Sequence, residues 1–315
     1  MIDLRVGTTT PDLVGQVVLD RYVVEAVLGS GAMGTVYRGR HQKLPRSVAI
    51  KVLHDELTRE PIMLERFRRE ARIAARMAHA NVIAVLDVGE TPDGRQVMVL
   101  ELAHGENLSA LIAKGPMAGD RVIRIVKQLL RGLDHAHAAG LIHRDLKPDN
   151  VIVETREAEE LPRIVDFGIA ILAASESFEG VRLTDTGVVI GTPLYMAPEQ
   201  AKCEAIDHRV DLFALGVMTY EMLSGRVPFD GNATEIALAS ISQDPPPIAK
   251  RSGAVVDPLL ERFARKLMAR RLRDRFATAF EALGVLELME RDRDAAALAL
   301  GQMNVARALA TISLE

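Results

Sequence analysis

His143-Arg144-Asp145-Leu146-Lys147-Pro148-Asp149-Asn150 sets polar residue types with catalytic capability close together between two apolar segments. Such a stretch reads as a loop built to hold chemistry. The Asp145 carboxylate can accept a hydroxyl proton, and the Asn150 amide oxygen is a hard ligand suited to magnesium. Lys147 adds a positive charge beside them. Pro148 stiffens the loop and drives Lys147 out of the helical region, which favours a fixed loop over a continued helix. A solvated polar turn is the alternative when the stretch is read alone.

Upstream, residues 120–139 place Val122, Ile125, Val126, Leu129, Leu133 and Ala136 on one helical face, and Gly140 stops the run. This helix delivers the chain to the loop. Downstream, Val151-Ile152-Val153 and Arg163-Ile164-Val165 read as short strands linked by a charged insert, 154–162, and lead into Asp166-Phe167-Gly168. Asp166 is expected beside the Asp145 loop, within reach of the same metal ion.

Near the start, 22–28 has a strand pattern that Gly29-Ser30-Gly31-Ala32-Met33-Gly34 interrupts, and Thr35-Val36-Tyr37-Arg38-Gly39-Arg40 is strand-like again. The context excludes two common glycine motifs. A dinucleotide-binding fold needs a helix after the glycines, and a Walker A loop needs Lys after the last one; here Thr35 follows, then a strand. A glycine turn between strands lets backbone amides approach phosphates, although an ordinary hairpin would also use it. Val48-Ala49-Ile50-Lys51 then offers an apolar ceiling for a base and one ammonium for phosphates, against the alternative of a solvated strand end. Residues 61–79 read as a helix with Met63, Phe67, Ala71, Ala74 and Ala78 at helical spacing. Glu70 lies on the edge of that stripe, so it is expected to seek Lys51; a surface pair with Arg66 or Arg69 is the weaker alternative. Residues 82–88 and 96–100 look like two more strands around the turn Thr91-Pro92-Asp93-Gly94.

After Gly168, residues 172–192 are polar and lack a period, so a mobile segment is expected; Gly191-Thr192-Pro193-Leu194-Tyr195-Met196-Ala197-Pro198-Glu199 ends it. Residues 211–223 form a strongly apolar helix, and Asp211 at its start is either a cap or a support for the 143–150 loop. Pro245-Pro246-Pro247 marks a surface loop. Helices at 259–268 and 277–289 flank the basic run Arg270-Arg271-Leu272-Arg273-Asp274-Arg275.

Composition narrows the function. The 315 residues are 48% apolar, enough for one large domain or two lobes sharing a cleft. A net charge of -4, from 39 basic and 43 acidic residues, lacks the basic footprint of a nucleic-acid binder. The single cysteine, Cys203, excludes an internal disulfide, no signal peptide is expected at residues 1–5, and the sequence has no run of about 18 apolar residues. A cytoplasmic protein is expected, with no membrane segment in this chain and any anchor outside it.

In this order and spacing, these motifs closely resemble the eukaryotic-like (Hanks-type) protein Ser/Thr kinase family, in its bacterial branch, over residues 22–288. The resemblance implies an α+β, two-lobed protein kinase fold. It implies an arm at 1–21, an N-lobe of antiparallel sheet plus one helix at 22–100, a hinge at 101–105, a mainly helical C-lobe at 106–288 and an Ala/Leu-rich helical tail at 289–315. It implies ATP and Mg2+, with Mn2+ as a substitute. By the same resemblance Leu28, Gly29, Gly31, Gly34, Val36 and Ala49 would cover the nucleotide, with Leu100 as gatekeeper and Glu101 and Ala103 as hinge contacts. Lys51, held by Glu70, would bind the α- and β-phosphates, Asp145 would take the hydroxyl proton, Lys147 would steady the γ-phosphate, and Asn150 and Asp166 would hold the metal. Glu199 and Arg275 match a buried ion pair, and Asp211 matches a loop support. Lys147 and Thr192 follow the Ser/Thr-specific pattern, so protein Ser/Thr hydroxyls are the expected acceptors. Arg144 before Asp145 suggests control by phosphorylation of Thr184 and Thr186, in trans within a homodimer. The rivals are a catalytically silent scaffold and a small-molecule kinase. Intact Lys51, Asp145, Asn150 and Asp166 oppose the first, and the 191–199 segment with Asp211 opposes the second.

Overall fold

A computed structural model describes residues 13–31, 34–54, 61–167 and 193–301. They divide into two compact units: one from residues 13–78 and Ile83–Ala103, the other from His79–Val82, 104–167 and 193–301.

Among the described residues the first unit is a six-stranded antiparallel sheet with one helix. Strands β1 (Val17–Val18), β2 (Tyr22–Gly31), β3 (Gly34–His41), β4 (Ser47–Leu53), β5 (Val85–Glu90) and β6 (Gln96–Glu101) lie in the order β1-β2-β3-β4-β6-β5. Alternation decides which face is dry: Val48, Ile50 and Val52 of β4 and Val97 and Val99 of β6 are fully buried together with Val24 and Tyr37. Helix α1 (Pro61–Ala74) opens on a proline, as a first turn tolerates, and buries Phe67, Glu70, Ala71 and Ala74 at helical spacing.

Two readings of this unit need correction. An arm is expected at 1–21, yet Leu13 and Val18 are buried in the sheet's core and Val17–Val18 pairs with Tyr22 and Val23. The cause is a three-residue turn with Leu19 and Asp20 in the left-handed region (φ 51° and 53°), a conformation that their side chains do not advertise. Leu19 is held against β5, where a Cβ added to Gly89 would stand 2.5 Å from its side chain. The strand expected at 82–88 begins three residues later. Val82 leaves the sheet and pairs with Ile164 in the other unit, because the buried Asn81 amide donates to Gln128 and to the Pro162 carbonyl.

The second unit is mainly helical. Strands β7 (Gly105–Asn107), β8 (Val151–Arg156) and β9 (Glu159–Ile164) form a small sheet. The charged insert at 154–162 is thus no separate loop but the hairpin itself. Glu157 and Ala158 turn it at φ 50° and 70°, the primed geometry that suits a two-residue connection, and Glu154 is buried against Arg163 and Arg156. Helices α2 (Leu108–Ile112), α3 (Gly119–Ala138), α4 (Pro198–Ala201), α5 (Arg209–Ser224), α6 (Ala233–Ser242), α7 (Ile248–Ser252), α8 (Pro258–Leu267), α9 (Ala279–Arg291) and α10 (Arg293–Ala299) complete it. Helix α5 is buried almost throughout, and at Gly216 a Cβ would stand 2.7 Å from Leu267, so α5 and α8 cross closely. The described start of the tail docks on α8: Arg262 donates to the Leu300 and Gly301 carbonyls, and Arg293 pairs with Asp257.

Candidate active site

The residues expected to act on a nucleotide fall in the first unit and those expected to act on an acceptor in the second. In the first, opposed residues of antiparallel strands share a face. Val36 faces Lys51, Lys51 faces Met98, and Ala49 faces Leu100. Val36, Ala49, Lys51 and Leu100 therefore line one half-buried face, opposite the dry one. Leu28 is exposed at a register shift between Val27 and Gly29, and Glu101 pairs with Val48 and donates its N–H to the Ala84 carbonyl. Ala103 follows just beyond β6, half-buried, and Glu70 is buried on α1.

The glycines of this unit separate by cause. A Cβ on Gly34 would stand 2.2 Å from the Val52 carbonyl oxygen, so the fold itself demands glycine there. Among the described residues nothing lies within 4 Å of a Cβ at Gly29 or Gly31, so packing within that set does not explain them. Open backbone at these two positions is what a phosphate-bearing ligand needs for close approach. One residue escaped the sequence reading: His54, just beyond β4, has its Nε2 2.9 Å from the Gly31 carbonyl and ties the glycine turn to β4.

In the second unit α3 is followed by Gly140 in the left-handed region (φ 79°), and the next residue, Leu141, is buried. Asp211 is fully buried in the first turn of α5, where His208 is the cap residue. Its Oδ2 accepts from the His143 N–H and from His137 Nε2, and its Oδ1 accepts from the Arg144 N–H, each at 2.8 Å. Burial raises the Asp211 pKa, but the hydrogen bond and charge of His137, the charge of His143 and the His143 N–H outweigh it and hold the carboxyl below its usual range. Arg144 occupies the left-handed region (φ 64°), which costs about 1–3 kcal/mol for such a residue. It is pinned at both ends, by Asp211 on its N–H and by Gln200 Nε2, which donates to its carbonyl at 3.0 Å.

This scaffold presents Asp145. Its carboxylate is part-exposed, with Lys147 Nζ donating to Oδ2 at 2.7 Å, and its carbonyl accepts from Asn150 Nδ2 at 2.7 Å. Because the nitrogen end of the Asn150 amide is committed to Asp145, its oxygen end is the donor left for a hard cation. The Val165 N–H donates to the Asn150 carbonyl at 2.9 Å, and the Val165 carbonyl accepts from His143 Nε2 at 3.0 Å. Asp166 therefore follows directly on a residue clamped to both ends of the loop, and it too is left-handed (φ 62°). The His143 ring, with Nδ1 3.3 Å from the Asp145 backbone nitrogen and Nε2 3.0 Å from the Val165 carbonyl, packs on Phe167. Among the described residues no cluster of three His, Cys, Asp or Glu could cage a metal ion. One amide and one carboxylate fit magnesium, which binds through few protein oxygens and takes phosphate and water for the rest.

Glu199 meets Arg275 in a buried bidentate pair, Oε1 to Nη1 at 2.5 Å and Oε2 to Nη2 at 2.8 Å, while Arg275 Nε donates to the Ala269 carbonyl. Glu199 and Gln200 share α4, so the pair also positions the side chain that pins Arg144. Gln200, like His137, was invisible to motif reading, because a single polar residue on a helix has no local signature for a carbonyl far along the chain. Gly168, Thr184, Thr186 and Gly191-Thr192 lie outside the described residues.

The family model described as "Protein kinase domain" matches residues 22–283. The chain is 39% identical over 288 residues to "Serine/threonine-protein kinase pkn3" of Myxococcus xanthus, covering 90% of this chain and 52% of that protein. It is 38% identical over 278 residues to "Serine/threonine-protein kinase PknB" of Mycolicibacterium smegmatis, covering 87% of this chain and 43% of that one. It thus spans about half or less of the length of these relatives. Among solved structures, the Mycobacterium tuberculosis PknI kinase domain aligns with TM-score 0.68 at 26% identity, over 88% of this chain and 99% of that one.

Proposed function

The chain belongs to the protein kinase family, among its bacterial serine/threonine kinases, and from that premise we propose that it transfers the γ-phosphoryl group of ATP to Ser or Thr hydroxyls of proteins. The observation that carries the reading is the Asp145 carboxylate, part-exposed between Lys147 and Asn150 on a loop suspended from the buried Asp211. The acceptor oxygen bonds to the γ-phosphorus, the bond from that phosphorus to the bridging oxygen breaks, and ADP departs with the electron pair. Asp145 orients the hydroxyl and takes its proton. Lys147 neutralises charge on the moving phosphoryl group. Lys51, supported by Glu70, holds the α- and β-phosphates beneath the open glycine turn, and Val36, Ala49 and Leu100 bound the adenine. Glu101 and Ala103 offer it backbone groups. Asn150 and Asp166 would hold magnesium, which would supply charge neutralisation and orientation of the phosphates.

Regulation belongs to the same reading. Thr184 and Thr186 are proposed as sites of autophosphorylation between two copies, with the added charge of about -1.5 to -2 each pairing with arginine such as Arg144. Among the described residues no helix is long and apolar enough to cross a membrane. The deciding experiment is transfer of radiolabel from ATP to a generic basic protein, with and without magnesium. Asp145→Asn should lose roughly 10²- to 10⁴-fold in rate. Wild-type protein that binds nucleotide but transfers no label to any protein would sink the proposal. Peptide mass analysis after incubation with ATP should find phosphate on Thr184 or Thr186, and full activity without it would remove the regulatory part.

A further inference from the structure

The basic run at 270–275 and the proline loop at 245–247 have no role in the chemistry above beyond Arg275, yet they meet at one cavity of about 340 Å³ in the second unit. Its floor is apolar, made by the buried Pro245 and Met268. Its charged lining is uneven. Arg270 is already used, bonded to the Asp244 carboxylate and to the Ser242 carbonyl. Arg265 has only a long 3.9 Å approach to Glu261. The exposed Arg271 side chain has no hydrogen-bond or ion-pair partner among the described residues, and Asp274 is the one lining carboxylate that Arg270 does not neutralise. Two guanidinium forks thus border one cavity with their donors largely unspent, against one carboxylate.

We propose that this cavity receives a phosphate monoester carried on a peptide, phosphothreonine or phosphoserine. A tetrahedral dianion has enough oxygens to engage both forks, whereas a single carboxylate is satisfied by one of them. The volume falls in the range that takes a whole small ligand rather than a lone ion, and the Pro245 and Met268 floor suits the carbon stem of the modified residue. The site is also mechanically placed. Its Ala269–Asp274 wall is the turn whose Ala269 carbonyl holds Arg275 Nε, and Arg275 holds Glu199 beside Gln200 on α4. The inference does not depend on phosphotransfer, since it concerns binding alone.

The test is fluorescence anisotropy of the full chain, without nucleotide, against a short dye-labelled peptide with one central phosphothreonine among glycine and alanine. Saturable binding is expected, with Arg271→Gln weakening it about tenfold or more and Arg265→Gln/Arg271→Gln further still. Arg271→Lys, which keeps charge but loses the fork, should fall between. Asp145→Asn should bind as wild type. Arg271 is exposed, so its substitution should leave thermal unfolding unchanged, which separates lost binding from lost folding. Equal affinity in the double variant, absence of binding to wild type, loss in Asp145→Asn instead, equal binding of the unphosphorylated peptide, or inorganic phosphate competing as tightly as the phosphopeptide would each overturn the proposal.

Discussion

Asp211 shows how one side chain can fix a loop it does not belong to. It accepts two consecutive backbone N–H groups of the 143–150 stretch and one imidazole, all within a dry environment. A carboxyl held below its ordinary value of 3.8 stabilises the fold above the unfolded-state pKa, and that contribution disappears as pH falls through the folded-state pKa. Urea midpoints followed from neutral pH into acid should therefore drop below about pH 4 in the wild type. Asp211→Asn should already be weaker at neutral pH, by roughly 3 kcal/mol or more if the lost charge leaves its partners unmatched, and flatter through the acid range. Identical acid slopes in the two proteins would contradict this. Lys51 is a simpler case: Lys51→Met should cut turnover by roughly 10²-fold or more, measured at saturating acceptor, as the loss of one preorganised electrostatic contact. A variant with an undiminished rate would remove Lys51 from the machinery.

At the scale of elements, the glycine hairpin separates what the fold requires from what a ligand requires. Gly34→Ala drives a methyl group into the Val52 carbonyl, so a lowered melting temperature is expected whether or not nucleotide is present. Gly31→Ala meets nothing and should melt like wild type while binding nucleotide more weakly. Thermal shifts with and without ATP distinguish the two, and equal melting of both variants without ligand would refute the assignment. His54→Ala releases the turn from β4 and should raise the nucleotide KM about three- to tenfold while changing kcat less, the scale of one ordinary hydrogen bond. A pure kcat effect would reject that role. The hairpin, the α3 helix and the catalytic loop were legible because each has a local pattern: glycines between strands, a helical apolar stripe, polar residues around a proline. His54, Gln200 and the Glu157-Ala158 turn were not, since their contacts or backbone angles depend on neighbours distant in sequence or on left-handed geometry that no glycine announced.

For the whole molecule, neither unit holds the full candidate set, and each is stabilised in its own way. The second depends on the buried Arg275–Glu199 pair, so Arg275→Ala, which leaves a buried carboxylate without its partner, should cost about 3–5 kcal/mol. Differential scanning calorimetry that finds the variant within error of wild type would refute it. The first unit depends on residues that sequence reading set aside as an arm. Leu13 and Val18 are too few and too widely spaced to display a period, and their burial exists only once the sheet is there to receive them. Leu19 on Gly89, together with Arg21 bonded to Asp87, joins the two outer strands of that sheet, β1 with β2 on one side and β5 on the other. The last strand of that sheet to leave the ribosome, β6, sits between β4 and β5, so the join cannot form until residue 101 has emerged. Until then a nascent chain carries raw strand edges and an uncovered apolar face, the kind of surface that aggregates or recruits chaperones. Translation stalled before that residue should yield a protease-sensitive product, and release past it a resistant one.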